Sequence, residues 1–391
     1  MTCDVLVVGA GPAGSAAALV LAQRGARVAL VDRLEFPRDK ACGDALIPDA
    51  LQALGELRLL DEVLASAHVV RQIRVYAPNG GFTTVYGQCA CVPRAVFDNM
   101  LRRSAMAAGA TFIAPLRAVA PVESNGRIRG VRFERPGSHA STAIFAGLTI
   151  LATGATAGAL QQFGVCQRTT PSAFAARTYV RVDESTARAH DYFCVAYDRS
   201  TCPGYGWFFP GPNRTFNVGV GYVYDGPRSP SARNIRGLLH DFLATFPPAA
   251  AIMRAAEAVA PLKGAPLRTA MKGADLARPG LLVVGEAAGL TYSFSGEGIG
   301  KAMQSGILAA EAVISGKVDS YPARLRASFA ERFKAYERLQ RLVSYPPIAN
   351  LLISRANAGG YVQRQLEGLL NERGRPDELT SVSGALRALF T

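Results

Sequence analysis

The chain opens on a continuous apolar run, Val5 to Val8, then an Ala-rich segment from Ser15 to Arg24, then a second apolar run from Ala26 to Val31. Aliphatic runs without polar alternation read as strands buried on both faces. With a helix between them they predict a βαβ unit on a parallel sheet. From Gln72 to Gly87 the pattern changes to alternation, with IRVYA and FTTVY separated by Pro78, Asn79, Gly80 and Gly81. An Asn-Gly pair tolerates the positive φ of a tight turn, so this stretch predicts a hairpin. Helical periodicity returns from Arg94 to Gly109, and a strand follows at Thr111 to Ile113. A hairpin about Asn125 and Gly126 leads to a buried strand, Leu148 to Ala152, which runs into Thr153-Gly154-Ala155. Ala173 to Leu262 reads as a second β-rich block holding the single Trp and a helix near Ser231 to Phe246. A short buried strand at Gly280 to Val284 precedes a helix from Gly298 to Ile314, and from about Tyr321 the chain is helical with an Arg-rich tail.

This order predicts an α/β protein whose nucleotide-binding module is interrupted. Residues 1–70, 88–172 and 264–320 form the module, residues 71–87 and 173–263 a β-rich substrate domain, and residues 321–391 a helical C-terminal region. At 391 residues, with 49% hydrophobic and 19% charged positions, the chain has ample material for such a core and little reason for disorder. The formal charge of +13 comes mostly from scattered arginines, which makes a peripheral membrane or protein partner compatible with the basic surface. Nucleic-acid binding is not expected, because no clustered basic stripe or known module is present. No stretch of about 18 residues is apolar and uncharged, so no spanning helix is expected. The start lacks the pattern of a signal peptide, and the cytoplasm is the expected compartment. The cysteines, Cys3, Cys42, Cys89, Cys91, Cys166, Cys194 and Cys202, lack zinc-ligand spacing and read as reduced thiols. His68, His139, His190 and His240 are isolated, so no metal site is expected.

Gly9, Gly11 and Gly14 spell G-x-G-x-x-G between the first strand and the first helix, with Pro12 and Ala13 inside it. In this pattern the first Gly makes the turn, the second admits a pyrophosphate and the third lets helix and strand pack closely. The helix N-terminus then offers free N–H groups and a favourable dipole to the phosphates. Asp32, with Arg33 after it, ends the next strand about 20 residues on, where an acid receives a ribose. A second glycine-rich strand end and helix start, LLVVGEAAG and SFSGEGIGKAMQSG, suits a ligand that spans the sheet, and this favours FAD over NAD.

The chain resembles the geranylgeranyl reductase family of flavoproteins, within the p-hydroxybenzoate hydroxylase fold superfamily. The resemblance rests on GAGPAGSAAA, on DKACGDAL with Lys40, Cys42, Gly43 and Asp44, on YGWFFP from Tyr205 to Pro210, and on GEAAG with SGEGIGKAMQSG. It implies a Rossmann-like FAD-binding domain with an inserted β-rich substrate domain. It places the adenosine near Asp32, the pyrophosphate near Gly11 to Gly14, and the ribityl chain near Gly285 and Glu286, with Gly289 also among the cofactor-binding residues. The flavin ring then falls against Gly296, Gly298 and Ile299, close to Cys42 and Gly43, with Arg94 and Gly154 near the cofactor. Three departures stand out: Glu286 replaces the family's Asp, Cys202 stands where the family has Pro before the Tyr-x-Trp, and Thr153-Gly154 replaces an Asp-Gly pair.

On a strand Tyr205, Trp207 and Phe209 point to one face and Phe208 to the other, so the first three form either core packing or an apolar wall for substrate. Cys42 reads either as a small buried hydrophobe or as a reactive thiol. The expected activity is hydride transfer from FAD to a C=C bond of an apolar or extended organic substrate, free or carrier-linked, with Cys42, Tyr205 and Trp207 at the reaction site. NAD(P)H or a partner reductase supplies the electrons in this reading. A flavin-dependent monooxygenase, hydroxylating or epoxidising, is the alternative. A halogenase is a weaker one, since GYGWFFP partly resembles that group's GWxWxIP, yet no lysine lies between Lys40 and Lys263. The oligomeric state is open.

Overall fold

The computed structural model describes residues 1–138, 140–199, 201, 204–223, 234–374, 376–381, 384 and 387. His139, Cys202, Pro203 and the start of the helix expected from Ser231 lie outside the described residues. Strand Thr2–Val8 lies inside a sheet whose order is Ala277–Arg278, Leu281–Val283, Ser141–Leu151, Thr2–Val8, Val28–Val31 and Thr111–Ile113. Val5 pairs with Val28, Val5 with Leu148 and Leu281 with Thr149, all in parallel. Val28–Val31 and Leu281–Val283 are buried at every position, as continuous apolar runs require.

Helix Pro12–Gln23 packs against helices Arg94–Ala107 and Ile299–Ile314. Its approach to the last is very close: a Cβ on Gly306 would stand 2.2 Å from the Ala13 carbonyl oxygen. The hairpin Arg117–Ser124 and Arg127–Glu134, turned by Asn125 at φ 50° and Gly126 at φ 69°, pairs with Ser141–Leu151.

The second sheet is largely antiparallel. Its order is Ala256–Val259, Ala173–Val182, Thr215–Val223, Tyr205–Gly211, Phe193–Ala196, His68–Tyr76, Phe82–Cys91 and Ala45–Leu46. The stretch it takes from the first half of the chain is therefore wider than residues 71–87. Phe208 enters a core with Tyr192, Phe216 and Phe242 beneath helices Ile235–Thr245 and Pro247–Arg254. Tyr205, Trp207 and Phe209 take the opposite face.

The C-terminal region forms helices Tyr321–Val343, Pro346–Asn357 and Tyr361–Leu370 and the short Pro376–Thr380. It bridges the two sheets. Tyr321 donates its hydroxyl to Val283 O at 2.8 Å, while Asn357 and Gln363 donate side-chain amides to Phe82 O and Thr84 O at 2.6 and 2.8 Å. Carbonyls on a strand that would otherwise face water are thereby paired.

Candidate active site

The two sheets enclose a cleft of about 510 Å³, within the range of small-molecule and cofactor sites. One end is built on the first strand–helix turn. Gly9 has φ 108°, and a Cβ there would stand 2.3 Å from Ala152 O, so this turn admits only glycine. A Cβ on Gly14 would stand 1.8 Å from Gly9 O, inside the helix–strand contact. Gly11 differs: its φ is −76° and a Cβ would meet only an Arg38 nitrogen, at 3.7 Å. The bare side of Gly11 faces the cleft, with Pro12 opening the helix and no acidic side chain in its first turn.

Asp32, nearly buried, accepts from Ala10 N at 2.8 Å on one oxygen and from Leu34 N at 3.0 Å on the other. Each oxygen keeps a further lone pair for a sugar hydroxyl. Arg33 lies exposed at the rim. Beside this turn Asp98, fully buried, takes Arg94 in a fork at 2.7 and 2.8 Å and Arg38 at 3.0 Å. Burial works against the charge of Arg94, but Asp98 and the nearby Cys42 sulfur hold its pKa above the ordinary value. The sequence reading missed Arg38 and Asp98; the Arg94–Asp98 spacing of one helical turn was the available signal.

Farther along, Lys40 Nζ meets Glu286 Oε2 at 3.1 Å, and Gly154, at φ 74°, leaves the space beside that oxygen open. Glu286 Oε1 and Thr153 Oγ1 are buried and have no hydrogen-bond partner among the described residues. Both line the cleft, and unpaired buried oxygens fit a ligand bearing hydroxyl donors there. A ribityl chain is such a ligand.

Gly14, Gly285 and Gly289, expected at the cofactor, do not line the cleft. The reason is steric. Gly285, at φ 65°, is wedged with its Cβ position 2.8 Å from the Ala13 methyl, and Gly289, at φ 75°, backs onto the Lys272 backbone at 2.8 Å. They shape the turns and hold the helices close, as Gly14 does.

At the other end Gly296, at φ 68°, closes a turn in which Gly296 N donates to Tyr292 O at 3.0 Å and Tyr292 N to Glu297 O at 2.9 Å. The Tyr205 hydroxyl donates to Ser295 O, so the second sheet is fastened to this turn. Gly298 caps helix Ile299–Ile314, and Gly296, Glu297, Gly298 and Ile299 all line the cleft.

Across from it stands the loop Cys42-Gly43-Asp44. Asp44, buried and at φ 63°, accepts from the Tyr179 hydroxyl at 2.5 Å and from Asn217 Nδ2 at 2.8 Å. Burial pushes its carboxyl up to about 6 against the opposing pull of Tyr179, Asn217, Arg177 and Arg94. Asn217 also donates to Cys42 O at 2.7 Å and accepts from Trp207 Nε1 at 3.0 Å. A Cβ on Gly43 would press on Phe209 at 3.0 Å, and Gly219 makes room for the indole, whose Cζ2 lies 2.3 Å from its Cβ position. Tyr205, Trp207 and Phe209 form a continuous wall, with ring centroids 5.9 and 6.3 Å apart, and they face the cleft. The structure thus brings Cys42, Tyr205 and Trp207 to one end of the cleft. Tyr179 and Asn217, the side chains that hold them there, were not legible in the sequence.

A sequence profile of the family described as an FAD binding domain matches residues 2–314. A menaquinone reductase of Mycolicibacterium smegmatis is 31% identical over 366 residues, 88% of this chain and 85% of that protein. Among solved structures, a geranylgeranyl bacteriochlorophyll reductase-like protein from Thermoplasma acidophilum is similar at TM-score 0.75 and 21% identity, covering 99% of this chain and 96% of that one. A flavin-dependent brominase is similar at TM-score 0.76 and 17% identity, covering 100% and 98%; at such identities both show the fold alone. The fold is that of the p-hydroxybenzoate hydroxylase superfamily, and the chain is an FAD-dependent oxidoreductase. The chain belongs to that FAD-binding family. Among the described residues no helix is long and apolar enough to cross a membrane.

Proposed function

We propose that this protein reduces a carbon–carbon double bond in an apolar, extended substrate of isoprenoid or prenylated-quinone type. The observation that carries the reading is the wall of Tyr205, Trp207 and Phe209, locked to the Cys42–Asp44 loop through Asn217. Ile47, Ile73, Val195 and Val223 extend the apolar lining, which suits a hydrocarbon chain rather than a polar metabolite. FAD, held by the glycine turn at Gly9 to Gly11, by Asp32, by Glu286 and by the turn at Gly296 to Ile299, supplies a hydride when reduced. The aromatic wall positions the double bond and excludes water, and the Asn217 lock keeps the indole from turning away. Electrons come from NAD(P)H or a partner reductase.

The name of the long-aligned relative, a menaquinone reductase, supports the substrate class. Against a halogenase, Lys40, the one lysine of the chain before Lys263, is engaged by Glu286. The test is anaerobic. FAD-loaded protein reduced with one equivalent of dithionite is mixed with menaquinone, and the product is weighed by mass spectrometry after ferricyanide has reoxidised its quinone ring, so that only hydrogens added to a carbon–carbon double bond remain. A gain of two hydrogens with flavin reoxidation is expected. Reoxidation only after oxygen is admitted, with oxygen in the product, overturns the reductase reading in favour of a monooxygenase.

A further inference from the structure

Saturating a C=C bond needs a proton as well as a hydride, and the cleft holds few groups able to give one. Five carboxylates line it among the described residues: Asp32, Asp39, Asp44, Glu286 and Glu297. Asp32 accepts a backbone N–H on each of its oxygens, at the glycine-turn end of the cleft away from the aromatic wall. Asp39 is gripped by Arg177 at 2.5 Å and Lys263 at 2.7 Å. Glu286 faces Lys40. Asp44 accepts two hydrogen bonds on one oxygen while its other oxygen is buried without a partner among the described residues, and against burial Tyr179, Asn217, Arg177 and Arg94 pull its carboxyl back to about 6. The Tyr205 hydroxyl is committed to Ser295 O.

Glu297 is placed differently. It lines the cleft between Gly296 and Gly298, on the turn to which Tyr205 is fastened, and a closed set of charges lies within its electrostatic reach. Asp49 meets Lys301 at 3.3 Å, Lys301 meets Glu372 at 3.4 Å, and Arg332 grips the same Glu372. Asp49 and Lys301 are almost wholly buried. Two cations already answer two carboxylates, so a third carboxylate in their company has no counter-charge of its own. A half-buried acid in that position keeps its proton.

We propose that Glu297 is the acid that protonates the substrate, a role that rests on the C=C reductase reading. As the π bond breaks, the hydride forms a C–H bond at one carbon. The electron pair left on the neighbouring carbon takes the Glu297 proton, its O–H bond breaks, and the carboxylate is reprotonated from water. The groups facing Glu297 are Asp49 from helix Pro48–Glu56, Ser295 of its own turn, Lys301 of the following helix and Arg332 of helix Tyr321–Val343. Cys89, Tyr197, Tyr205, Tyr292 and Tyr336 also lie within its electrostatic reach. Burial and then Asp49 push the Glu297 carboxyl up to about 8, against Ser295, Lys301 and Arg332. That value suits an acid working near neutrality.

The test uses FAD-loaded protein and two readouts. By infrared titration the wild type is expected to show a protonated-carboxyl band that disappears as pH rises through about 8 and is absent from Glu297→Gln. The same band in both proteins overturns the proposal. In anaerobic single turnovers with menaquinone, Glu297→Gln is expected to be slower by about 10²–10⁴-fold, with unchanged FAD content. The fall in rate above about pH 8 should vanish with it, and Glu297→Asp should recover part of the rate. Asp49→Asn, which removes the like charge, should move the infrared midpoint down. Equal rates for wild type and Glu297→Gln overturn the assignment of Glu297 alone. A wild type that leaves the side-chain double bonds of menaquinone unreduced at every pH overturns the reductase reading with it.

Discussion

Two glycines three positions apart should respond in opposite ways to the same added methyl. At Gly14 a Cβ would stand 1.8 Å from a backbone oxygen that cannot rotate away, whereas ordinary contact begins at 3.4 Å. The helix must lift by more than 1 Å off the first strand, and the cost should reach or exceed the roughly 1–3 kcal/mol of ordinary overpacking. At Gly11 the φ of −76° suits alanine and the nearest atom is 3.7 Å away. There the lost helix cap and the gain from a stiffer unfolded chain cancel to within about 1 kcal/mol. Gly11→Ala should therefore leave the melting temperature of FAD-free protein nearly unchanged. Its methyl projects into the cleft, so FAD affinity should fall by roughly 5–150-fold, the equivalent of about 1–3 kcal/mol. Gly14→Ala should lower the melting temperature without FAD. Circular dichroism melts and fluorescence titration with FAD measure both effects. Equal destabilisation by the two substitutions, or unimpaired FAD binding by Gly11→Ala, would refute the division of roles.

Trp207→Phe keeps the ring but loses the bond to Asn217; substrate affinity should drop while FAD content stays at the wild-type level, as absorbance and equilibrium binding would show. Lys40→Met leaves Glu286 without its cation beside an already unpartnered oxygen, so FAD should dissociate faster in a stopped-flow release assay. Folded protein holds the Glu297 proton more tightly than the unfolded chain, with its ordinary value of 4.5. The unfolded state thus binds fewer protons, and this group's contribution to stability falls as pH rises from about 4.5 through about 8. Melts of wild type against Glu297→Gln across that range should diverge, the variant becoming the more stable at the alkaline end.

The features readable from the sequence are those with local signatures. The glycine turn followed by a helix, the alternation of Tyr205, Trp207 and Phe209, and the second glycine-rich helix start each declare themselves within a few residues. What stayed hidden depends on register between distant segments. Trp207 finds room because Gly219 is its cross-strand partner, and Asn217 reaches Cys42 and Asp44 because it pairs with Phe209. No pattern along the chain announces such contacts. Sequence also cannot say which way a glycine's bare side faces; Gly11 opens to the cleft, whereas Gly285 and Gly289 open to packed backbone and a methyl group. Helices Pro48–Glu56 and Leu60–Ala65 escaped notice because they are short, yet the first supplies Asp49.

A crystal structure of the protein with FAD tests the account most directly. The pyrophosphate is expected at Gly11 and the start of helix Pro12–Gln23, the ribityl hydroxyls at Glu286 and Thr153, and the flavin ring between Gly296–Ile299 and the Cys42-Gly43 loop, facing Trp207. A flavin ring turned away from that wall, or FAD bound outside the cleft, would contradict it.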